Sequence, residues 1–344
     1  MSKNCLWTRL RAVVNDPDLE VLEIDDGTLN INVTQSSEAL VPATQQRFRI
    51  AVTEPVTLST TGNYMALVDG SGNVGSYTNT LTIPASQNTT IQVMNVTCVI
   101  NVDKAEALRL FNLPTNASQH SIISVRLGSL SAATALSELR LSFSASSGDI
   151  ASLADCTGLE YLALDACSGI TGDVASLASL NPDHAYINQT GVTGDISAFS
   201  GWTNIEVLLF SNTALGGNIV SMGSLTSLMY TGFDGIATSK CSGSVEEFVA
   251  AQIAAGRTTC SLGSTNAETL RIVSLLHNFT FGGSKILSGT TLYYTAVTWE
   301  SASKIAVFAG TGNNVSDLTH VYAKGYTQQE ASQKWPEYTV TIVG

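Results

Sequence analysis

Charged side chains are scarce in this chain. Lys, Arg, Asp and Glu together make up 13% of its 344 residues, about half the usual share of a globular protein. Only 16 residues are Lys or Arg and the net charge is −12, which argues against nucleic-acid binding because that contact needs clustered basic side chains. Solubility must come from Ser, Thr, Asn and exposed backbone, which suits the β-rich surface of an extracellular protein or a virion.

Long apolar runs are also missing. No stretch approaches the ~18 apolar residues that cross a bilayer, and we expect no membrane span. Between Met1 and Val14, Arg9 and Arg11 interrupt the apolar residues, so this segment lacks the pattern of a signal peptide. If the protein acts outside a cell, we expect a route other than ordinary secretion, such as virion assembly followed by lysis.

Catalytic and metal-binding motifs are absent as well. The sequence has no Gly-x-Ser-x-Gly, no His-Glu-x-x-His and no Gly-x-x-x-x-Gly-Lys-Ser/Thr, the motifs of common hydrolases, zinc proteases and phosphate-binding loops. Its six cysteines are widely spread without a Cys-x-x-Cys pair, and its four histidines lie far apart. We expect buried thiols in a reducing compartment. We predict no catalytic residue, no metal site and no cofactor, and therefore no enzyme.

Residues 70–75 match the dinucleotide-binding string Gly-x-Gly-x-x-Gly. That site needs a helix immediately after it, so that the amides at the helix N-terminus meet the pyrophosphate. Residues 76–80 instead alternate as a strand does. We therefore predict a hairpin turn.

A short motif recurs through the middle of the chain, with steps of 24, 22, 23 and 26 residues between its glycines. The copies are Gly148-Asp149-Ile150, Gly172-Asp173-Val174, Gly194-Asp195-Ile196, Gly217-Asn218-Ile219 and Gly243-Ser244-Val245. A period in the twenties is typical of a solenoid, because one such unit cannot bury its apolar face and must stack on copies of itself.

A strand-like apolar core precedes each glycine motif. The cores are Leu136-x-x-Leu139-x-Leu141, Leu159-x-x-Leu162-x-Leu164, a third turn with Ala185 and Ile187, Ile205-x-x-Leu208-x-Phe210 and Leu225-x-x-Leu228-x-Tyr230. Residues 136–248 thus resemble leucine-rich repeats of the Gly-Asp-Ile type. The resemblance implies a scaffold that binds proteins or glycans on its concave face. The order of β-domain, repeats and closing segment also resembles structural and fibre proteins of phages of gut bacteria.

We predict a mainly β fold, a short leucine-rich-repeat-like solenoid flanked by an N-terminal β-sandwich-like domain and a small C-terminal β-rich domain. The expected divisions are an N-terminal arm (1–20) that either packs on a neighbouring subunit or frays, a β-domain (21–100), the solenoid with a capping helix (101–256) and the C-terminal domain (257–344). Residues 244–256 read as the capping helix, with acidic residues in the first turn and Gly256 as its stop. A second short helix opens with the capping box Thr327-x-x-Glu330.

The predicted concave face carries two rows of side chains. One row is Arg140, Ala163, Tyr186, Leu209 and Met229, and the other is Glu138, Tyr161, His184, Val207 and Ser227. The rows are apolar and aromatic enough to bind a partner, although a neighbouring subunit or the β-domains of the protein itself would cover them equally well. The partner-binding candidates are Arg140, Tyr161, His184, Tyr186, Leu209 and Met229.

Asp149, Asp173 and Asp195 recur one turn apart. Stacked carboxylates can share Ca²⁺, but each Asp can also bond local backbone at a tight turn. The local role is favoured because Asn218 and Ser244 keep it in the later copies while breaking the charge ladder.

Three functions remain open. The first is a structural virion protein of a phage (a fibre, decoration or adhesion component), a homo-oligomer whose partners are other virion proteins or a host surface protein or glycan. The second is an adhesin on the bacterial cell surface. The third, a glycan lyase or hydrolase, would need a carboxylate or His constellation that the sequence does not offer.

Overall fold

The computed structural model describes residues 28–36, 46–113, 120–232, 240–257, 270–273, 279–285, 294–310 and 317–344. The predicted N-terminal arm lies outside these residues. Within the described residues the fold is mainly β, as predicted, and fourteen strands form one sheet, called the long sheet below.

The N-terminal strands pair antiparallel in two sheets. Alternate residues are buried, as Leu29, Ile31 and Val33 are on β1, and both sheets contribute to one continuous apolar core. This is the predicted β-sandwich. Residues 70–75 form a turn in which Val68 bridges Val74, which confirms the hairpin interpretation. The strands are β1 (Leu29–Val33), β2 (Arg47–Val52), β3 (Val56–Ser59), β4 (Met65–Val68), β5 (Thr80–Ile83), β6 (Thr89–Val93) and β7 (Cys98–Val102).

The central repeats form two parallel ladders. Even-numbered strands from β8 to β18 build the long sheet, and odd-numbered strands from β11 to β19 build a second sheet across the core. A short 3-10 turn follows each of the first four glycine motifs, the first over Ile150–Leu153, whereas an α-helix follows the fifth. The strands are β8 (Leu108–Asn112), β9 (Ile123–Val125), β10 (Glu138–Arg140), β11 (Ser147–Asp149), β12 (Tyr161–Ala163), β13 (Gly169–Asp173), β14 (His184–Tyr186), β15 (Gly191–Asp195), β16 (Val207–Leu209), β17 (Ala214–Asn218), β18 (Tyr230–Gly232) and β19 (Lys240–Ser244).

The glycine motif forms the corner of each turn. Asp149 accepts a hydrogen bond from the Ala151 amide at 2.9 Å and so caps the 3-10 turn. Gly172, one turn later, has φ +108°, and a Cβ there would overlap the Asp149 carboxylate. From Gly172 onwards, each motif glycine therefore makes room for the capping residue of the preceding turn. The local role predicted for the aspartates is confirmed, and Asp173, Asp195 and Asn218 cap their 3-10 turns in the same way. The Ser244 hydroxyl accepts from the Glu247 amide and caps a helix instead.

The fifth turn differs from its predicted register. Leu139, Leu162, Ala185 and Leu208 align in one buried row, and the next member of that row is Thr231, not Leu228. The predicted core is therefore three residues out of register. The reason is that Leu225 packs directly after the 3-10 turn, where its amide bonds Met222 O as the Trp202 amide bonds Phe199 O one turn earlier.

Helix α1 (Val245–Ala254) begins after the Ser244 cap and covers the last 3-10 turn. Gln252 is fully buried, and its side-chain amide donates to the carbonyls of Met222, Gly223 and Leu225 at 3.1–3.3 Å. The parallel ladder runs one strand beyond α1, because β18 pairs with β20 (Leu270–Val273).

The C-terminal strands continue the long sheet. β20 pairs antiparallel with β23, while the last strand, β26, pairs parallel with β25. Helix α2 (Gln328–Lys334) connects these two strands and starts with the predicted capping box of Thr327 and Glu330. Neither α1 nor α2, the helices formed by the described residues, is long and apolar enough to span a membrane. The remaining strands are β21 (Phe279–Phe281), β22 (Ser284–Lys285), β23 (Tyr294–Ser301), β24 (Lys304–Gly310), β25 (Leu318–Lys324) and β26 (Thr339–Val343).

Candidate functional site

The long sheet of the solenoid turns one side to the core and the other outward. Side chains alternate along a strand, so the residues on either side of the buried row point away from the core. We call this outward side the strand face. Its first row is Glu138, Tyr161, His184, Val207 and Tyr230, and its second row is Arg140, Ala163, Tyr186, Leu209 and Gly232.

Five of the six predicted contact residues lie on the strand face. The structure brings Arg140, Tyr161, His184 and Tyr186 together, and Leu209 follows Tyr186 on the next strand. Met229 does not continue their row, which corrects the predicted alignment. It lies one residue before β18, where its amide donates to Glu206 O at 2.9 Å, and Gly232 takes the expected position.

Three rings on the strand face stack on one another. The Tyr161 and His184 ring centres are 5.3 Å apart with planes inclined by 21°, and Tyr161 and Tyr186 are 5.6 Å apart at 29°. The Tyr161–His184 contact follows from the fold, because parallel strands in register hold equivalent residues about 4.8 Å apart. Tyr186 lies two residues after His184 on the same strand and reaches Tyr161 from the other row. Burial, together with the neighbouring Tyr161 hydroxyl, raises the pKa of Tyr186.

Arg140 closes the other end of the stack. Its guanidinium carbon lies 3.7 Å from the centre of the Tyr161 ring, and its Nε donates to Glu138 Oε1 at 2.6 Å. The Asn112 amide donates to the same oxygen at 2.6 Å. Tyr161 is thus held between Arg140 on β10 and the rings on β14.

A row of carboxylates borders the strand face. Glu160, Asp183 and Glu206 each precede a strand by one residue and stand in register on successive turns. Within the described part of the chain none of them forms an ion pair with a basic side chain. The sequence analysis missed this row, although its signal was present as an acidic residue every 23 positions.

A second polar chain follows the opposite ends of the same strands. The Ser142 hydroxyl donates to Asp165 Oδ2 at 2.9 Å, the Asn188 amide donates to Asp165 Oδ1 at 2.5 Å, and the Ser211 amide donates to Asn188 Oδ1 at 3.0 Å. Burial raises the pKa of Asp165, against the effect of these hydrogen bonds. The bonds connect four successive turns, which makes this chain a structural brace.

The described residues contain no cluster of three or more His, Cys, Asp or Glu placed to hold a metal ion. Cys156, Cys167 and Cys241 are buried, as predicted for small core thiols. Burial raises the pKa of Cys156 to about 11, which leaves it protonated and a poor nucleophile at neutral pH. Cys98 is half-buried, and Cys5 and Cys260 lie outside the described residues.

No protein-family model matches this chain, and no curated protein matches it. Solved structures match it in part. The leucine-rich-repeat ectodomain of the receptor kinase SOBIR1 from Arabidopsis thaliana is 20% identical over 40% of this chain and 75% of its own, with a TM-score of 0.30. An internalin C2 from Listeria monocytogenes is 16% identical over 43% of this chain and 69% of its own, with a TM-score of 0.29. The leucine-rich-repeat-like fold described above follows from the strand register of this chain itself.

Proposed function

We propose that this protein is a non-enzymatic scaffold that binds a partner protein on the strand face. The observation that carries the proposal is the ring stack of Tyr161, His184 and Tyr186 beside a row of carboxylates that lacks basic partners among the described residues. Aromatic side chains that are held rigidly lose little conformational entropy on binding and are frequent anchors of protein interfaces.

The covered ring faces favour a protein over a glycan. Sugars bind aromatic residues by stacking on a free ring face, whereas both faces of Tyr161 are occupied, one by Arg140 and the other by His184. The ring edges remain for the partner. These groups suit the backbone and side chains of a polypeptide segment.

The acidic row indicates the charge of that segment. Glu160, Asp183 and Glu206 lie about 4.8 Å apart from one strand to the next, so the row spans about 10 Å. Basic residues at positions i and i+2 of an extended peptide are roughly 7 Å apart and fit this span. Arg140 does not attract an anion strongly, because Glu138 already neutralises it. The partner segment is therefore basic and extended.

Peptide binding to the purified chain tests this proposal. The probes are a fluorescent peptide that alternates Lys with Thr and the same peptide with Glu in place of Lys. We expect the Lys peptide to bind, with an affinity that falls as salt is added, and at least tenfold more weakly when Glu160, Asp183 and Glu206 are changed to Gln, Asn and Gln. The exposed Asp155→Asn is the matched control and should bind like wild type. Equal binding of both peptides would refute the proposal.

The setting that we propose for this scaffold is a phage virion, as a fibre, decoration or adhesion component. Low charge, the Ser- and Thr-rich composition and the resemblance of the repeat order to phage structural proteins support this setting. The alternative is an adhesin on the bacterial cell surface. Mass spectrometry of purified particles separates the two, because a virion protein is present there in many copies and an adhesin is found in host membrane fractions.

A further inference from the structure

The long sheet ends at β26, whose outer edge has no paired strand among the described residues. β26 pairs with β25 on one side only. The opposite end of the sheet is different, because β4 is bridged by the chain that follows it, Met65 to Thr78 and Val68 to Val74. In the part of the chain that the structure describes, the sheet therefore has one covered edge and one open edge.

The residues of β26 suit pairing and lack the devices that prevent it. Thr339, Val340, Thr341, Ile342 and Val343 are all β-branched, the residue class most favoured in strands. Natural edge strands are usually protected by Lys, Pro, a bulge or a covering segment. β26 has neither Lys nor Pro, and its register with β25 is unbroken over five residues.

The two faces of β26 show where a neighbour would fit. Val340 packs against the small C-terminal core that includes Phe308 and Val321. Ile342, two residues on and so on the same face, is 37% exposed and is one of five large apolar side chains that are exposed in the described residues. On β26, the exposed Ile342 side chain therefore neighbours Val340, which is already packed.

We infer that two copies of this chain pair through β26 in an antiparallel, two-fold arrangement. Centred on Thr341, this register places Thr341 opposite itself and Val340 of one copy opposite Ile342 of the other. Ile342 becomes buried, and the unpaired backbone groups of both edges become hydrogen-bonded. A two-fold interface uses the same patch on both copies and closes at the dimer, so the 14-stranded sheets join into one.

The solution mass tests the pairing. Light scattering on the eluting protein should give twice the 36.2 kDa mass of the chain. Ile342→Lys and Thr341→Lys should weaken dimerisation at least tenfold without lowering the melting temperature of the solenoid. Val99→Lys is the matched control, because Val99 is 43% exposed but lies on an interior strand of another sheet. It should leave the mass unchanged.

Cross-linking tests the register and does not depend on a destabilising variant. Thr341→Cys should form an intermolecular disulfide on mild oxidation, because directly opposed residues have Cβ atoms about 4.5–5.5 Å apart. Thr319→Cys, exposed on the interior strand β25, should give no more cross-link than wild type. A monomeric mass at all concentrations, open-ended assemblies, or a dimer that survives both Lys variants would overturn the inference.

Discussion

Arg140 and Tyr161 form a cation–π pair on neighbouring strands, with the guanidinium carbon 3.7 Å from the ring centre. The same guanidinium bonds the Glu138 carboxylate, so its charge is satisfied within the chain. Arg140 therefore acts mainly as a support that fixes the Tyr161 ring. The ring stack is rigid before any partner arrives, which lowers the entropy lost on binding.

A double-mutant cycle should detect this pair. Arg140→Ala and Tyr161→Ala are expected to be coupled by about 0.5–1 kcal/mol in the free energy of unfolding, the usual strength of a partly exposed cation–π contact. The cycle of Arg140→Ala with Leu209→Ala, three strands away, serves as control and should be additive. Denaturant unfolding of the four proteins in each cycle gives both values. Additivity in the first cycle would show that the ring is not held by Arg140.

Gly194→Ala should destabilise the solenoid by about 1–3 kcal/mol, the range for a residue forced into a sparsely populated backbone region. Gly194 has φ +119°, and a Cβ there would overlap Asp173 Oδ1 and lie 3.1 Å from Val174 Cγ2. Gly201→Ala is the control, since its Cβ would meet nothing closer than 3.6 Å. The melting temperatures of the two variants measure this difference. If both variants lose the same stability, the close approach of the motif glycine to the preceding turn is not what requires glycine there.

Much of the fold was predictable because the repeat imposes the same physical demand on every turn. Leu139, Leu162 and Leu208 recur at fixed spacing since each must reach the same buried row. Asp149 was predictable as a local cap because Asn218 and Ser244 take its place in later turns. Their uncharged side chains can accept a backbone hydrogen bond but cannot continue a ladder of carboxylates. These features depend on neighbours along the chain, which the sequence displays directly.

The features that escaped prediction depend on alignment between turns. Leu225 and Leu228 are both apolar and three residues apart, so either fits the start of the fifth core, and only packing after the 3-10 turn decides between them. Glu206 belongs to no local sequence motif, and only the strand register places it beside Asp183. β26 lies at an edge because of the order of all the strands in the long sheet, and the local sequence of β26 does not reveal that order.

Glu246→Gln should destabilise the protein by about 1 kcal/mol at pH 7, as expected for a half-buried ion pair. Burial alone would raise the pKa of Glu246, but hydrogen bonds from Lys324 at 3.0 Å and from the Gly282 amide at 2.6 Å outweigh it and lower the pKa. The folded state therefore favours the carboxylate. Its contribution is present above the unfolded pKa of about 4.3 and is lost as the pH falls through the folded pKa.

The measurement for Glu246 is the difference in unfolding free energy between wild type and variant at pH 7 and at pH 3. We expect the difference to shrink towards zero at pH 3. Glu247→Gln is the control, because Glu247 is exposed in the same turn of α1, and it should have little effect at either pH. A difference that stays constant or grows in acid would refute the contribution of the ion pair.

Thr231→Val should stabilise the solenoid by about 1 kcal/mol. Thr231 occupies the row of Leu139, Leu162 and Leu208, is 1% exposed, and its hydroxyl has no hydrogen-bond partner among the described residues. A buried hydroxyl without a partner has lost its hydration without compensation, and valine keeps the shape without that cost. Thr190→Val is the matched control. The Thr190 hydroxyl is also buried but donates to Ile187 O at 2.7 Å, so its removal should lower the free energy of unfolding by about 1 kcal/mol. The free energy of unfolding, measured with denaturant, should therefore rise for Thr231→Val and fall for Thr190→Val. If both destabilise, the Thr231 hydroxyl has a partner, and the fifth turn is held by a polar contact rather than by the apolar row.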